Sequence, residues 1–184
     1  MKGAIIYKGR YGATAQYARW MGAQLQVPVM EIEQAGPDEI SQYDYLVLGS
    51  SVYIGKTEHR LWLQKNADIL RTKKLFHFIV CATPADQADK LQTIINNNIP
   101  TGLMQPASLW FLPGRMIMKD LKWWDRFLLR TGARLEKDPE VKKFMLTDFD
   151  RVNEKEIAPL VKAVQVYLGQ GQNDSKKVQD AVTA

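Results

Sequence analysis

The chain has 184 residues, enough for one domain that buries a hydrophobic core without disulfides or metal ions. Its single cysteine, Cys81, excludes an internal disulfide, and its apolar runs are far shorter than the roughly 18 residues that span a bilayer. A net charge of +5 suits anionic partners in general. Because the sequence has no zinc-ligand spacing and no nucleic-acid-binding signature, we expect a protein that binds neither metal nor nucleic acid. The single cysteine fits a reducing compartment, and we expect the protein to be cytoplasmic.

Five short, mainly apolar runs predict β-strands, and the first and third lack the polar alternation of a half-exposed strand, as expected for strands buried on both faces. These runs are residues 4–7, 27–32, 45–49, 75–81 and 107–112. Helical spacing or a short crossover separates them, with helices that begin near Thr14, Thr57 and Thr83. Pro28 favours an outer position for the second strand, since proline cannot donate to a central ladder. The alternation predicts an α/β domain with a doubly wound parallel sheet.

The C-terminal third contains an insertion, a last helix and a polar tail. Residues 113–146 form a connection longer than usual and are therefore a candidate for function. The last helix is predicted from about residue 147 to residue 168, and Pro159 within it should kink or split it. Residues 169–184 are polar and are predicted to be a flexible tail, so that the domain comprises residues 1–168.

The loop after the first strand has the composition of a phosphate site. Two glycines permit a tight turn that aims N–H groups inward, and the following helix adds its positive end. Lys8 or Arg10 can add a charge, and Thr14 a hydroxyl. The loop matches neither the Walker A nor the dinucleotide glycine pattern. A tight turn that binds nothing is the alternative.

Two further loops should open at the same edge of the sheet, because parallel sheets bind ligands beyond the carboxyl ends of their strands. Residues 49–55 are small apart from Val52, Tyr53 and Ile54, and Tyr53 can lie against a planar ring. The alternative is that Tyr53 only packs within its loop. Ala82 and Thr83 follow the fourth strand without an aromatic residue, which would leave one ring face open to a substrate.

The centre of the insertion has the pattern of an amphipathic helix with an aromatic face. Leu121, Trp124, Phe127 and Leu128 share this face, and basic residues flank it. Such a helix suits a lipid interface or an apolar groove for carboxylated ligands. It can also dock on its own domain, and the two interpretations can coexist.

Residues 5–18 resemble the first strand, phosphate loop and helix of the flavodoxin-like superfamily, and Gly12 and Thr14 match the positions that vary least in that superfamily. Residues 49–55 resemble its first flavin-ring loop. The resemblance implies a five-stranded sheet in the order 2-1-3-4-5 with FMN as cofactor. Since Gly9 and Tyr11 replace hydroxyl residues common in electron carriers, phosphate binding would rely on backbone amides and Arg10. The cofactor-binding residues would be Gly9, Arg10, Tyr11, Gly12, Ala13, Thr14, Ser51, Val52, Tyr53, Ile54, Gly55, Ala82 and Thr83.

The loop 49–55, the insertion with its Trp-Trp-Asp-Arg-Phe sequence, and residues 144–149 are similar to the menaquinone-dependent protoporphyrinogen dehydrogenase branch. This resemblance implies a porphyrinogen as electron donor and a membrane quinone as acceptor, with the protein peripheral on the inner face of the membrane. Arg126 would meet the propionates, and Trp123 and Trp124 the ring or the lipid. No general acid or base is assigned, because His59 and His77 lack any triad or metal spacing.

Two other functions are alternatives to this one. A flavodoxin-type electron carrier or quinone reductase with another partner remains open, although the basic charge counts against the acidic docking surfaces of electron carriers. A phospho-receiver domain without cofactor is excluded, because Lys8, Ser50 and Ser51 stand where it needs acidic residues.

Overall fold

A parallel sheet forms the centre of the computed structural model, which describes residues 1–182 apart from positions 85, 106 and 107. The strands are β1 (Gly3–Lys8), β2 (Val29–Glu31), β3 (Tyr45–Tyr53), β4 (Lys56–Thr57), β5 (Lys74–Cys81) and β6 (Leu109–Pro113). The parallel order is β2-β1-β3-β5-β6, and β4 pairs antiparallel with β3. The predicted doubly wound order is confirmed, with Pro28 next to an edge strand. Residue 107, the predicted start of the fifth strand, lies outside the described residues.

Helices cover both faces of this sheet. They are α1 (Ala13–Leu25), α2 (Pro37–Ser41), α3 (Arg60–Lys65), α4 (Ala67–Arg71), α5 (Ala88–Asn98) and α8 (Ala158–Val182), while α6 (Trp123–Leu135) and α7 (Pro139–Leu146) belong to the insertion. On one face, α1 and α8 pack on the strands through Tyr17, Met21, Leu160 and Val164. On the other, α2 to α5 contribute Ile40, Leu63, Leu70, Leu91 and Ile94. Successive residues of the central strands alternate between these two cores, which is why both faces of β1, β3 and β5 carry apolar side chains.

The insertion is a helical hairpin on a two-stranded base. After β6 the chain forms β7 (Arg115–Met116), a 3₁₀ turn and the helices α6 and α7, and it returns through β8 (Phe149–Asp150), antiparallel to β7. The Arg115 guanidinium pairs with Asp150 at 2.8 Å, and the Met118 N–H donates to Asp148 at 2.8 Å. These bonds close the insertion where it leaves the domain.

The last helix differs from its prediction at both ends. A 3₁₀ turn over Glu154–Ile157, capped by the Asn153 side chain, precedes α8. Pro159 is therefore in the first turn of α8, where a missing N–H costs nothing, and the predicted kink was wrong. The helix continues to Val182 and so includes most of the segment that the sequence assigns to a tail. Among the described helices, none combines the length and apolarity needed to cross a membrane.

Two histidines are enclosed in the core near the sheet. His59 and His77 are 1% and 0% exposed. Nδ1 of His59 lies 3.1 Å from Thr57 Oγ1, and His77 Nε2 donates to the Leu103 carbonyl at 3.1 Å. Burial lowers the pKa of His59 to about 3 and that of His77 to about 4. Both rings are therefore neutral in the folded protein, as befits structural residues.

Acidification should destabilise the protein through these two rings. Between about pH 6 and pH 4.5 the unfolded chain binds protons at both histidines, whereas the folded chain does not. The free energy of unfolding should fall by about 1.4 kcal/mol per pH unit for each ring. His77→Gln keeps a donor for the Leu103 carbonyl but cannot titrate. In denaturant unfolding, the free energy of unfolding of this variant should therefore fall less steeply with pH, by the contribution of one histidine. An unchanged slope would contradict the assignment.

Candidate functional site

Three loops meet at one edge of the sheet, because β1, β3 and β5 are parallel neighbours. In the registers of these strands Lys8 pairs with Ser50, and Ser51 pairs with Val80. Residues 9–12, 54–55 and 82–84 follow directly. The structure therefore brings together the loops that the sequence assigns to a cofactor.

The first loop presents backbone N–H groups at the start of α1. Gly12 has a φ of 83°, a left-handed conformation that favours glycine. No described side chain caps the N-terminus of α1, and its first turn has no acidic residue. A Cβ on Gly9 would lie 2.6 Å from Thr14 Oγ1, so a glycine is needed for the loop to fold back over Thr14. Uncapped N–H groups and a positive helix end favour an anion here.

The two cations of this loop are engaged by carboxylates. Lys8 Nζ bonds to Glu33 and lies 3.7 Å from Glu31. Arg10 Nε donates to Glu58 at 2.9 Å, and its Nη1 donates to Asp125 at 3.4 Å. Neither side chain is held ready for a phosphate by itself. Backbone amides are thus the principal groups that this loop offers to an anion.

The second loop is a β-hairpin rather than an irregular segment. The third strand extends to Tyr53, beyond its predicted end at Gly49, and turns back into β4 through Ile54 and Gly55. Their φ angles are 47° and 70°, both in the left-handed region. Positive φ at both central residues matches the twist of a two-residue hairpin. Ile54 is 70% exposed at the tip.

Asn98, at the end of α5, holds the hairpin in place. Its side-chain amide donates to the Gly55 carbonyl at 2.9 Å, and its oxygen accepts from the Thr57 N–H at 2.9 Å. Within the described residues, the buried Ser51 hydroxyl oxygen has no hydrogen-bond partner. The hairpin is therefore fixed, and one of its buried polar groups has no partner among the described residues.

One carboxylate of the insertion joins the first two loops. Asp125, in the first turn of α6, is 8% exposed. It accepts short hydrogen bonds from the hydroxyls of Tyr11 and Tyr53 as well as the bond from Arg10. The Arg10 guanidinium also lies 3.7 Å from the centre of the Tyr53 ring, within the range of a cation–π contact. The insertion is thereby attached to both loops at once.

The electrostatics of this cluster keep Asp125 ionised. Burial acts to raise the pKa of this carboxyl group, but hydrogen bonds from Tyr11 and Tyr53 and the charge of Arg10 outweigh it and lower the pKa. Burial, followed by the bond to Asp125, raises the pKa of Tyr11 to about 12. The Asp125 bond and burial also raise the pKa of Tyr53. Both phenols thus stay protonated as donors.

The third loop borders a cavity of about 330 Å³ between β5, β6 and the base of the insertion. Ala82 and Thr83 form one side, and Phe149 and Arg151, beside β8, form another. Cys81 at its margin is 7% exposed, and burial raises the pKa of its thiol. The cavity combines aromatic walls with one cation, Arg151, and one carboxylate, Glu156, and the thiol at its margin is not a reactive one.

The predicted contact residues of α6 point in different directions. Trp123 and Trp124 are 73% and 52% exposed and lie outside the cluster around Asp125. Arg126 turns inward, where its guanidinium donates to the carbonyls of Lys119 at 3.2 Å and Leu121 at 3.0 Å. Arg126 therefore holds the start of α6 rather than standing free for a propionate.

A family model described as a flavodoxin domain matches residues 4–152, most of the chain. The chain belongs to the flavodoxin domain family. The matched range includes all three loops of the site and the whole helical hairpin.

Individual proteins resemble parts of this flavodoxin domain. An uncharacterized protein of Methanocaldococcus jannaschii is 28% identical over 85 residues, 46% of this chain and 57% of that protein. The chain thus spans little more than half of that relative. A flavodoxin from the domain Archaea is 18% identical with a TM-score of 0.44, covering 68% of this chain and 92% of that one. The rubredoxin oxygen:oxidoreductase of Desulfovibrio gigas is 16% identical with a TM-score of 0.46, covering 88% and 36%.

Sequence reasoning missed several residues at the site of this flavodoxin domain. Asp125 and Glu58, which bond to the first loop, were given no role, and neither was Arg151 beside the cavity. One signal was available: Asp125 is the only acidic residue between positions 121 and 130. In the part of the chain that is described, no group of three His, Cys, Asp or Glu side chains could hold a metal ion.

Replacing Asp125 should loosen the insertion. Asp125→Ala removes the acceptor of two tyrosines and a guanidinium, so the free energy of unfolding should fall by about 2 kcal/mol. The pKa of Tyr11 should also fall from about 12 in an ultraviolet titration. Asp120→Ala, at an exposed position in the same insertion, is the control for denaturant unfolding. Equal stability of the two variants would show that the cluster does not fix α6.

Proposed function

We propose that this flavodoxin domain binds FMN at its three loops and oxidises a porphyrinogen with a quinone as electron acceptor. FMN is the cofactor, and it supplies the redox chemistry by accepting electrons from one partner and passing them to another. The observation that carries the proposal is the uncapped start of α1, which meets the Tyr53 hairpin at the carboxyl edge of the sheet.

The residues present fit this cofactor. Backbone N–H groups after Gly9 suit a phosphate monoester, because the first turn of α1 has no acidic residue and no capping side chain among those described. Tyr53 offers the face of its ring that the Arg10 guanidinium does not cover. The chain's own task is to hold the phosphate and to orient the ring.

The third loop supports direct contact with a small substrate. Ala82 and Thr83 place no aromatic side chain there, and the cavity beside them opens toward Phe149 and Arg151. Aromatic walls suit an apolar ring, and of the two charged lining residues Arg151 would attract the carboxylates of that ring whereas Glu156 would repel them. The cavity is small for a ligand site, so a tetrapyrrole would extend beyond it. The specific donor and acceptor follow from the resemblance to the porphyrinogen dehydrogenases.

An electron carrier or quinone reductase is the second candidate, because family membership by itself fits either role. A carrier meets a macromolecular partner and has no need of a substrate cavity. The cavity lined by Phe149 and Arg151 therefore favours the enzyme.

Binding of FMN should depend on the space at Gly9. Gly9→Ala places a methyl group against Thr14 and distorts the loop, so the preference for FMN over riboflavin should fall about tenfold, close to 1.4 kcal/mol. The measurement is a fluorescence titration of the flavin-free protein with each ligand. Gly36→Ala, with open space around the new methyl group, is the matched control. If wild type does not prefer FMN to riboflavin, the phosphate site is absent.

Oxidation of protoporphyrinogen with a menaquinone analogue, followed anaerobically, should be accelerated by the FMN-loaded protein. Arg151→Gln should raise KM for the porphyrinogen about tenfold with little change for the quinone, because a charge-assisted contact is lost. The exposed Arg19→Gln is the control variant. Quinone reduction from another donor without porphyrinogen oxidation would favour the second candidate.

A further inference from the structure

The outer side of α6 is an exposed apolar surface, here called the aromatic face. Its members are more than a third exposed, from 36% at Leu128 to 78% at Leu135. They are Trp123, Trp124, Phe127, Leu128 and Leu135. Trp123 and Trp124 meet edge to face at 5.1 Å, and Trp124 stacks on Phe127 at 5.6 Å. A contiguous exposed apolar patch of this kind usually marks an interaction site, whereas single exposed apolar side chains are common on any protein surface.

The fold does not need this face for its own core. On the opposite side of α6, Asp125 bonds to the first two loops of the domain, and Ala133 is 1% exposed. Gly132 approaches α7, where an added Cβ would lie 3.2 Å from Met145. Contacts on the inner side of α6 thus hold the helix in place, and its apolar outer side is free to bind a partner.

Basic residues line the aromatic face. Arg130 lies seven residues after Trp123, and Arg134 seven after Phe127, so both project along the same edge of the helix. Between residues 119 and 137 there are six basic and three acidic residues; Arg126 and Asp125 turn inward, which leaves five basic and two acidic residues. The partner should therefore be apolar and anionic together.

We propose that the aromatic face docks on the surface of a bilayer that contains anionic lipids. Tryptophan and phenylalanine would enter the boundary between headgroups and acyl chains, while Lys and Arg meet the headgroup phosphates. A second copy of this chain fits less well, because self-association through this face would bring the arginines of both copies together, and the chain has a net charge of +5. The proposal rests on α6 alone and not on the proposed redox activity.

Docking in this way would bring the cofactor loops close to the lipid. Asp125, on the inner side of α6, contacts Tyr11 and Tyr53, so these loops lie about one helix diameter, roughly 10 Å, from the aromatic face. A ligand dissolved in the bilayer would then reach the site without crossing much water.

Cosedimentation with lipid vesicles tests the proposal. Wild type should bind vesicles that contain both phosphatidylcholine and phosphatidylglycerol at least tenfold more tightly than it binds vesicles of phosphatidylcholine alone. Added salt should weaken the binding. The double variant Trp123→Ser with Phe127→Ser should lose at least tenfold of this affinity. Leu61→Ser, which removes an apolar side chain 73% exposed on α3, should bind as wild type does.

The assay needs neither FMN nor turnover, so its result is independent of the proposed function. Thermal unfolding of each variant verifies that it is folded. Equal binding by wild type and the double variant, or no binding by wild type, would overturn the proposal. Concentration-dependent dimerisation without lipid, abolished in the double variant, would assign the aromatic face to a second copy instead.

Discussion

The site depends on three neighbouring parallel strands that end at the same edge of the sheet. Because β1, β3 and β5 are parallel, hydrogen-bonded neighbours, the loops that follow their carboxyl ends lie next to one another. The backbone of the first loop, the aromatic hairpin and the cavity beside the third loop each follow from this arrangement. Local sequence then decides what each loop presents: glycines and backbone N–H groups in the first loop, and the Tyr53 side chain in the second.

The fold was predictable because its determinants are local. The central strands are mainly apolar because both of their faces are buried, and Pro28 marks β2 as an outer strand. Boundaries were less predictable. The third strand continues into a hairpin because Ile54 and Gly55 adopt positive φ, which is unusual for a β-branched residue and has no reliable sequence signal. Pro159 looked like a kink only because the start of α8 was placed too early.

The site was predictable in position but not in its ionic contacts. Arg10 was expected to bind phosphate, yet it is paired with Glu58 and Asp125, 48 and 115 residues away along the chain. Periodicity reports which face of an element is buried; it says nothing about which distant carboxylate meets a given cation. Any phosphate at this loop must therefore be held mainly by backbone N–H groups, which need only the glycines that the sequence does show.

Asp125 determines which side of α6 faces the loops of the site and which side is exposed. Its bonds to Tyr11 and Tyr53 fix the inner side of α6 to the loops at the site, and this constraint orients the outer side. A helix bound only by apolar contacts would turn its aromatic residues inward, since burying them is favourable. Here an ionised carboxylate occupies the inner position and cannot be exchanged for tryptophan without losing three charge-assisted bonds. The exposure of Trp123 and Phe127 is thus a consequence of polar anchoring at the site itself.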